Sequence, residues 1–325
     1  MREEGVVPHE MKEQRASRGF PFSRLAVVRV ALLVAIAAFA VLTPGFFSVP
    51  SLTTLLTTIS FVGCVAIAMT FITLSGNIMS FALGATAAVS AVVFVQVLNI
   101  AGYIPAVVAA FGAGALISAG QGVLIGGLRA NPIIVSIAAN VLIYGCAQWL
   151  TRNETAHVLN PAGALLLKGK LVGLPVEFIV FVAATIIGQL LLSLTVFGRN
   201  LIYIGSGFRA AEAVGLPTVR TIIGAYLWAG LFSAVTGVIL ASRFTQANME
   251  FALHYDYDAI AAVLVGGTAI QGGSGSMLRT FVGVVAIGVI QVLLLLHGLR
   301  EEWRILATGL IVLAVIVLYS NRRRG

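Results

Sequence analysis

Charge is what this sequence has least of. Only 10% of its 325 residues are Asp, Glu, Lys or Arg, against about 25% in an ordinary soluble domain. With 59% hydrophobic residues and a mean hydropathy of +1.03, the chain has too few polar groups to cover a soluble surface. A soluble globular fold is excluded, and the bilayer is the natural solvent. Cysteine is almost missing as well. Cys64 and Cys146 each sit inside an apolar run without metal-type neighbours, so they read as free thiols packed among helices. His9, His157, His254 and His297 show no ligand spacing, which argues against a metal centre. No Ser-His-Asp set or paired carboxylates converge, so no catalytic residues are assigned. The nearest approach to a phosphate loop runs from Gly163 to Gly169-Lys170-Leu171. Its spacing is wrong, and Leu171 has no hydroxyl to hold Mg²⁺.

What is present is a succession of apolar runs. A helix needs about 20 residues to cross the hydrocarbon, and that measure predicts spans at 25–42, 52–73, 79–99, 103–126, 132–150, 174–195, 221–241, 258–271, 280–297 and 304–320. Pro44, Pro50, Pro105, Pro132, Pro175 and Pro217 fall at or near span edges, where a missing N–H costs least. Ala38-Phe39-Ala40 imitates a signal-peptidase site, but the preceding tail is long for a signal peptide, so the first helix is expected to be retained. The segment 258–271 is too short to cross alone and runs into Gly272-Gly273-Ser274-Gly275-Ser276. The expectation is therefore an all-α polytopic membrane protein with about ten transmembrane helices, one of them a broken or re-entrant glycine-rich segment. Residues 1–24 form a cytoplasmic tail, 25–320 the membrane domain and 321–325 a basic cytoplasmic end.

The net charge of +8 belongs to tails and loops rather than to a nucleic-acid surface. With the N-terminus inside, the cytoplasmic segments hold Arg2, Lys12, Arg15, Arg18, Arg24, Arg129, Arg199, Arg209, Arg220, Arg279 and Arg322 to Arg324. The outer segments hold fewer basic residues together with Glu154, Glu177, Glu250, Asp256, Asp258, Glu301 and Glu302. The positive-inside rule then places both termini in the cytoplasm, and the basic residues meet lipid headgroups. No predicted span has a charged residue in its middle third. Ion-coupled carriers usually place acids or bases there, so this pattern suits a conduit driven from outside the chain.

Two features stand out. Leu74-Ser75-Gly76-Asn77-Ile78-Met79-Ser80 and Gly266-Gly267-Thr268-Ala269-Ile270-Gln271-Gly272-Gly273 each interrupt an apolar run, one in each half. Such matched breaks mark a solute path or are small-residue packing sites, and both readings stay open. Between the sixth and seventh spans, the loop 196–220 is predicted cytoplasmic. Its stretch 208–214 is rich in helix formers and is followed by Gly215 as a stop and Pro217 as a bar to continuation. It is either a capped linker or a helix that seats in a partner's groove.

Four stretches carry a family resemblance. They are Thr195 to Leu201 with Ala210-Ala211 and Gly215-Leu216; Tyr257-Asp258-Ala259 through Gly266-Gly267-Thr268 and on to Ser276; Asn131-Pro132-Ile133-Ile134-Val135-Ser136 with Tyr144-Gly145; and Ser75-Gly76 through Gly84. Together they resemble the ribose/branched-chain-amino-acid type permeases of bacterial ABC importers, sugar branch, over roughly residues 25–320. The resemblance implies a permease of the bacterial inner membrane that moves a monosaccharide or similar polar solute by alternating access. It implies a second permease chain, a periplasmic solute-binding protein and a cytoplasmic ABC ATPase, with ATP and Mg on that partner and no cofactor here. Arg199, Phe208, Arg209, Ala210, Ala211, Glu212 and Gly215 become the ATPase-coupling residues. Asn77, Ser80, Asp258, Gly266, Gly267 and Gln271 are the path candidates.

The chain also departs from the family pattern. Ile78 stands where sugar members carry Asp, Phe81-Ala82-Leu83-Gly84 leans toward the amino-acid branch, and Gly207-Phe208-Arg209 replaces Asn-Pro-Glu. A branched-chain amino acid or nucleoside importer, or a stand-alone carrier, is the alternative. Asp258 is expected to cap its helix. Asn140 and Gln148 are read as helix–helix glue and Gly122 with Gly126 as a packing motif. Trp149, Trp228 and Trp303 are expected as interfacial anchors.

Overall fold

The computed structural model describes residues 34–159, 169–171 and 173–320. The predicted tail 1–24, the first part of the first span and the basic end 321–325 lie outside them. The chain divides into two compact units, Met1–Pro44 and Gly45–Gly325. In the first, residues 34–42 are helical (α1), and the Thr43 N–H and hydroxyl both return to Phe39 O at 3.1 and 2.9 Å.

The second unit is helical. Its helices are α2 (Val49–Leu74), α3 (Leu83–Ala101), α4 (Tyr103–Leu128), α5 (Pro132–Thr151), α6 (Val176–Leu194), α7 (Val196–Ser206), α8 (Phe208–Ala213), α9 (Thr218–Phe244), α10 (Tyr255–Gly266), α11 (Met277–Leu296) and α12 (Glu301–Ser320). Among the described residues, seven helices are long and apolar enough to cross a membrane: α2, α3, α4, α5, α6, α9 and α11. The predicted spans fall on helices whose ends differ by a few residues. The exception is 258–271, where the helix starts earlier and stops at Gly266.

Local chemistry sets the helix starts. Ser48 accepts from the Ser51 N–H ahead of Pro50 on α2. Asn131 accepts from Ile133 and Ile134 with Pro132 as the first helical residue of α5. Ser276 accepts from Arg279 on α11. Each cap answers a donor that the helix itself cannot.

The core is built around α2, nearly all of whose apolar length is buried, with α9, α11, α6 and α10 beside it. Hydrophobicity alone does not order helices in lipid; close backbone approach and interhelical hydrogen bonds do. The α4–α9 crossing uses the expected glycine motif. Gly122 lies on Tyr226 and Ile223, and Gly126 lies on Ile222. Thr70 and Thr280 join α2 to α11 through their hydroxyls at 2.7 Å. The Met277 N–H donates to Gln189 Oε1 at 3.0 Å, joining α11 to α6. By contrast, α5 has only Ser136 fully buried, and its other residues are partly buried or exposed. Cys64 is buried and Cys146 exposed, both as free thiols.

Two short antiparallel ladders complete the unit. β1 (Ala156–His157) pairs with β4 (Gln246–Ala247), and β2 (Lys170–Leu171) pairs with β3 (Leu174–Pro175). The first ties the long loop after α5 to the segment after α9. Asn99, near the end of α3, holds the same loop through His157 O and the Leu159 N–H, both at 2.9 Å.

Candidate translocation path and coupling surface

The loop 196–220 is largely helical. Thr195 starts α7 by accepting from the Gly198 N–H at 3.0 Å. Gly198, Leu201 and Ile204 recur at helical spacing and are buried, while Val196 and Tyr203 are exposed. α8 follows after Gly207 and ends as the sequence predicts. Gly215 takes a left-handed φ of 77°, and the Leu216 N–H reaches back to Ala211 O at 3.0 Å, the geometry of a glycine-terminated helix.

Of the residues assigned to coupling, Ala211 is buried, and Arg199, Arg209, Ala210 and Gly215 are exposed. Phe208 and Glu212 face the chain itself. Glu212 Oε1 accepts from Arg129 at 2.5 Å, and the same guanidinium lies 5.7 Å from the centre of the Phe208 ring. One turn of α8 is thereby fastened to the α4–α5 connection, leaving the Arg209–Ala210 side open.

The two interrupted segments meet. Gly76 and Gly272 both take φ of +86°, and a Cβ on Gly272 would stand 2.5 Å from Gly76 Cα. The Gly273 N–H donates to Leu74 O at 3.2 Å. Gly205, near the end of α7, lies against Leu74 O and Gly273 N, and Gly273 lies against Ser206. Three chain breaks therefore share one backbone junction: the end of α2, the end of α7 and the turn beyond α10. Side chains larger than hydrogen have no room there.

The path candidates divide. Asn77 and Ser80 are buried in the stretch between α2 and α3, where Asn77 donates to Ser75 Oγ at 2.8 Å and Ser80 Oγ accepts from the Ala82 N–H at 3.4 Å. Gly266 is pressed against the Arg279 backbone on α11, and Gly267 caps α10 with φ of 93°. Gln271 is exposed in the turn near Gly76. Asp258 lies eight residues before Gly266, about 12 Å along the helix, in the first turn rather than at the cap position, which is His254. Its carboxyl faces Gln291 and Thr308 on α11 and α12. The expected cap is not made, because the residue is already inside the helix.

A cleft of about 220 Å³ is lined by Phe81, Asn140, Leu253, His254, Asp256 and Tyr257. Asp256 is 3% exposed, and its Oδ1 accepts from the Gly84 N–H at 2.9 Å, so it caps α3 from another element. Asn140 donates to Phe81 O. The Phe81 and Tyr257 rings are 6.1 Å apart and tilted by 55°. Among these residues the sequence reading had Asn140 as glue and Phe81 and Tyr257 within family motifs, and gave Asp256 no role. The repeated Tyr-Asp of Tyr255 to Asp258 was the available signal for Asp256, but its partner is 172 residues away.

Comparison with known proteins gives a consistent picture. The family described as the branched-chain amino acid transport system permease component matches residues 51–316. The ribose import permease protein of Bacillus subtilis (strain 168) is 30% identical over 291 residues, 88% of this chain and 90% of that one. The L-arabinose transport system permease protein of Escherichia coli (strain K12) is 30% identical over 205 residues, 63% of this chain and 62% of that one. The ribose import permease protein of Escherichia coli (strain K12) is 28% identical over 304 residues, 91% and 93% of the two chains. No solved structure matches significantly.

Proposed function

The chain belongs to the branched-chain amino acid transport system permease family, and from that premise we propose that it is the membrane-spanning subunit of a bacterial inner-membrane ABC importer for a monosaccharide. It is a transport protein and hydrolyses nothing itself. ATP and Mg²⁺ act on a separate cytoplasmic ATPase, a periplasmic binding protein delivers the solute, and a second permease chain completes the conduit. This reading takes about ten spans from the lengths of the apolar runs and sets both termini in the cytoplasm by the charge of the loops.

The observation that carries this reading is the backbone junction of Gly76, Gly205 and Gly272. α8 offers Arg209 and Ala210 to a cytoplasmic partner, and α7 connects that helix to both interrupted segments. A displacement of α7 cannot leave those segments unmoved, because the contacts are backbone on backbone with no compressible side chain between them. Alternating access needs such a rigid link from the ATPase to the gate.

The test is solute uptake by vesicles carrying the chain together with its ATPase and binding protein. ATP-dependent uptake of D-ribose or L-arabinose that disappears in Arg209→Glu, with assembly of the membrane subunit intact, supports the reading. Uptake by the chain without the ATPase would establish a stand-alone carrier instead.

A further inference from the structure

The cleft at the head of α3 has a chemistry of its own. Its wall carries the buried Asp256 and the partly buried Asn140, and its rim carries the half-exposed Leu253 and Tyr257. At roughly 30 Å³ per water, its volume of about 220 Å³ holds about seven waters, the scale of one small solute. The lining offers a carboxyl acceptor, an amide with a second donor and an acceptor, an imidazole, a phenol and two ring faces. Hydroxyl groups both donate and accept, and the apolar face of a small ring packs on aromatic surface.

The same lining is unsuited to an amino acid. The carboxylate of a zwitterion, placed at a broken-helix N-terminus, needs free N–H groups. Here a carboxyl already stands at the N-terminus of α3. Asp256 Oδ1 holds the Gly84 N–H at 2.9 Å, and Ser80 Oγ takes the Ala82 N–H at 3.4 Å. An incoming carboxylate would meet the Asp256 carboxyl instead, with no Lys or Arg among the lining residues. Leu253 is the only aliphatic side chain in the lining, too little for a branched apolar group.

Resting on the importer reading, we infer that this cleft is a waypoint for a neutral polyhydroxylated solute in the membrane. Asp256 and Asn140 hold its hydroxyls, Tyr257 and Phe81 cover its apolar face, and the Asp256 carboxyl at the α3 N-terminus turns away the carboxylate of an amino acid. The family description and the names of the relatives point to different solutes; the cleft chemistry favours the sugar.

The test uses the full-length chain in lipid nanodiscs. Cys146 is exposed and Cys64 is 0% exposed, so a Cys146→Ser background leaves no accessible thiol, and Leu253→Cys places one on the cleft rim. Alkylation of that thiol by a neutral maleimide is timed with D-ribose, L-arabinose, D-xylose or L-leucine present. The expected result is that at least one pentose slows alkylation and L-leucine does not. Asp256→Asn is expected to raise the protecting concentration about tenfold, the effect of weakening one charge-assisted hydrogen bond. Tyr257→Leu, on the exposed rim, does the same without touching the α3 cap. Equal protection by L-leucine, protection by none of the pentoses, or protection unchanged by both substitutions would overturn the inference. Protection without ATP-driven uptake in vesicles would overturn the importer reading alone. Uptake without protection would overturn the cleft alone.

Discussion

Gly205→Ala and Gly207→Ala lie two residues apart at the end of one helix, and the structure assigns them opposite outcomes. At Gly205 an added Cβ falls on Leu74 O and 2.5 Å from Gly273 N, between the two partners of the hydrogen bond that joins the α2 and α10 breaks. Inserting a methyl into packed backbone costs about 1–3 kcal/mol, and losing the hydrogen bond adds about 1 kcal/mol. The sum is about 2–4 kcal/mol at a site with no side chain able to yield. At Gly207 the backbone is extended, with φ of −178°, and the Cβ would meet only Ala210 Cβ at 3.7 Å. That is ordinary contact, so the cost is within about 0.5 kcal/mol. Thermal unfolding of the two purified variants measures the difference in stability. Uptake and ATP hydrolysis by the assembled importer measure the functional consequence. Gly205→Ala is expected to separate the two activities, with hydrolysis continuing while uptake falls, because the ATPase still binds α8 but its motion no longer reaches both broken segments in register. If Gly205→Ala proves as stable and as active in uptake as Gly207→Ala, the junction is not the link between coupling helix and gate.

Two further expectations come from ion pairs of different burial. Arg129 and Glu212 have side chains 67% and 45% exposed, so neutralising either costs about 1 kcal/mol or less in stability; uptake should nevertheless fall, and the charge-exchanged pair Arg129→Glu with Glu212→Arg should restore part of it. Arg243 lies 3.6 Å from Glu177, which is 0% exposed, so Arg243→Ala strands a buried carboxylate and should cost about 3 kcal/mol in chemical unfolding. Glu177→Gln leaves only a partly exposed guanidinium that water can reach and should cost clearly less; equal costs would refute this account of the pair.

Helix starts and stops were legible wherever local chemistry decides them. Pro132 after Asn131 opens α5, and the Gly215-Leu216-Pro217 run closes α8, both as read from the residues. The break after the eighth predicted span was legible as glycine composition, although the helix stops at Gly266 and not at 271. Asp258 was misplaced as a cap because a capping residue and a first-turn acid look alike in sequence, and only hydrogen bonds separate them. Asp256, the residue that does cap a helix in this region, serves α3, and no sequence window contains both partners.

The sequence by itself determined that this chain is a membrane protein of many helices, and where most of the described helices begin and end. Those properties follow from hydrophobicity over about 20 residues and from capping chemistry within about four residues. Only the tertiary structure decided that Gly76, Gly205 and Gly272 share one junction, that Arg129 holds α8, and that Asp256 fills the head of α3. Such pairings span 67 to 196 positions in the chain. They depend on which helix lies beside which, and in lipid that choice is made by close packing and interhelical hydrogen bonds rather than by apolar pattern.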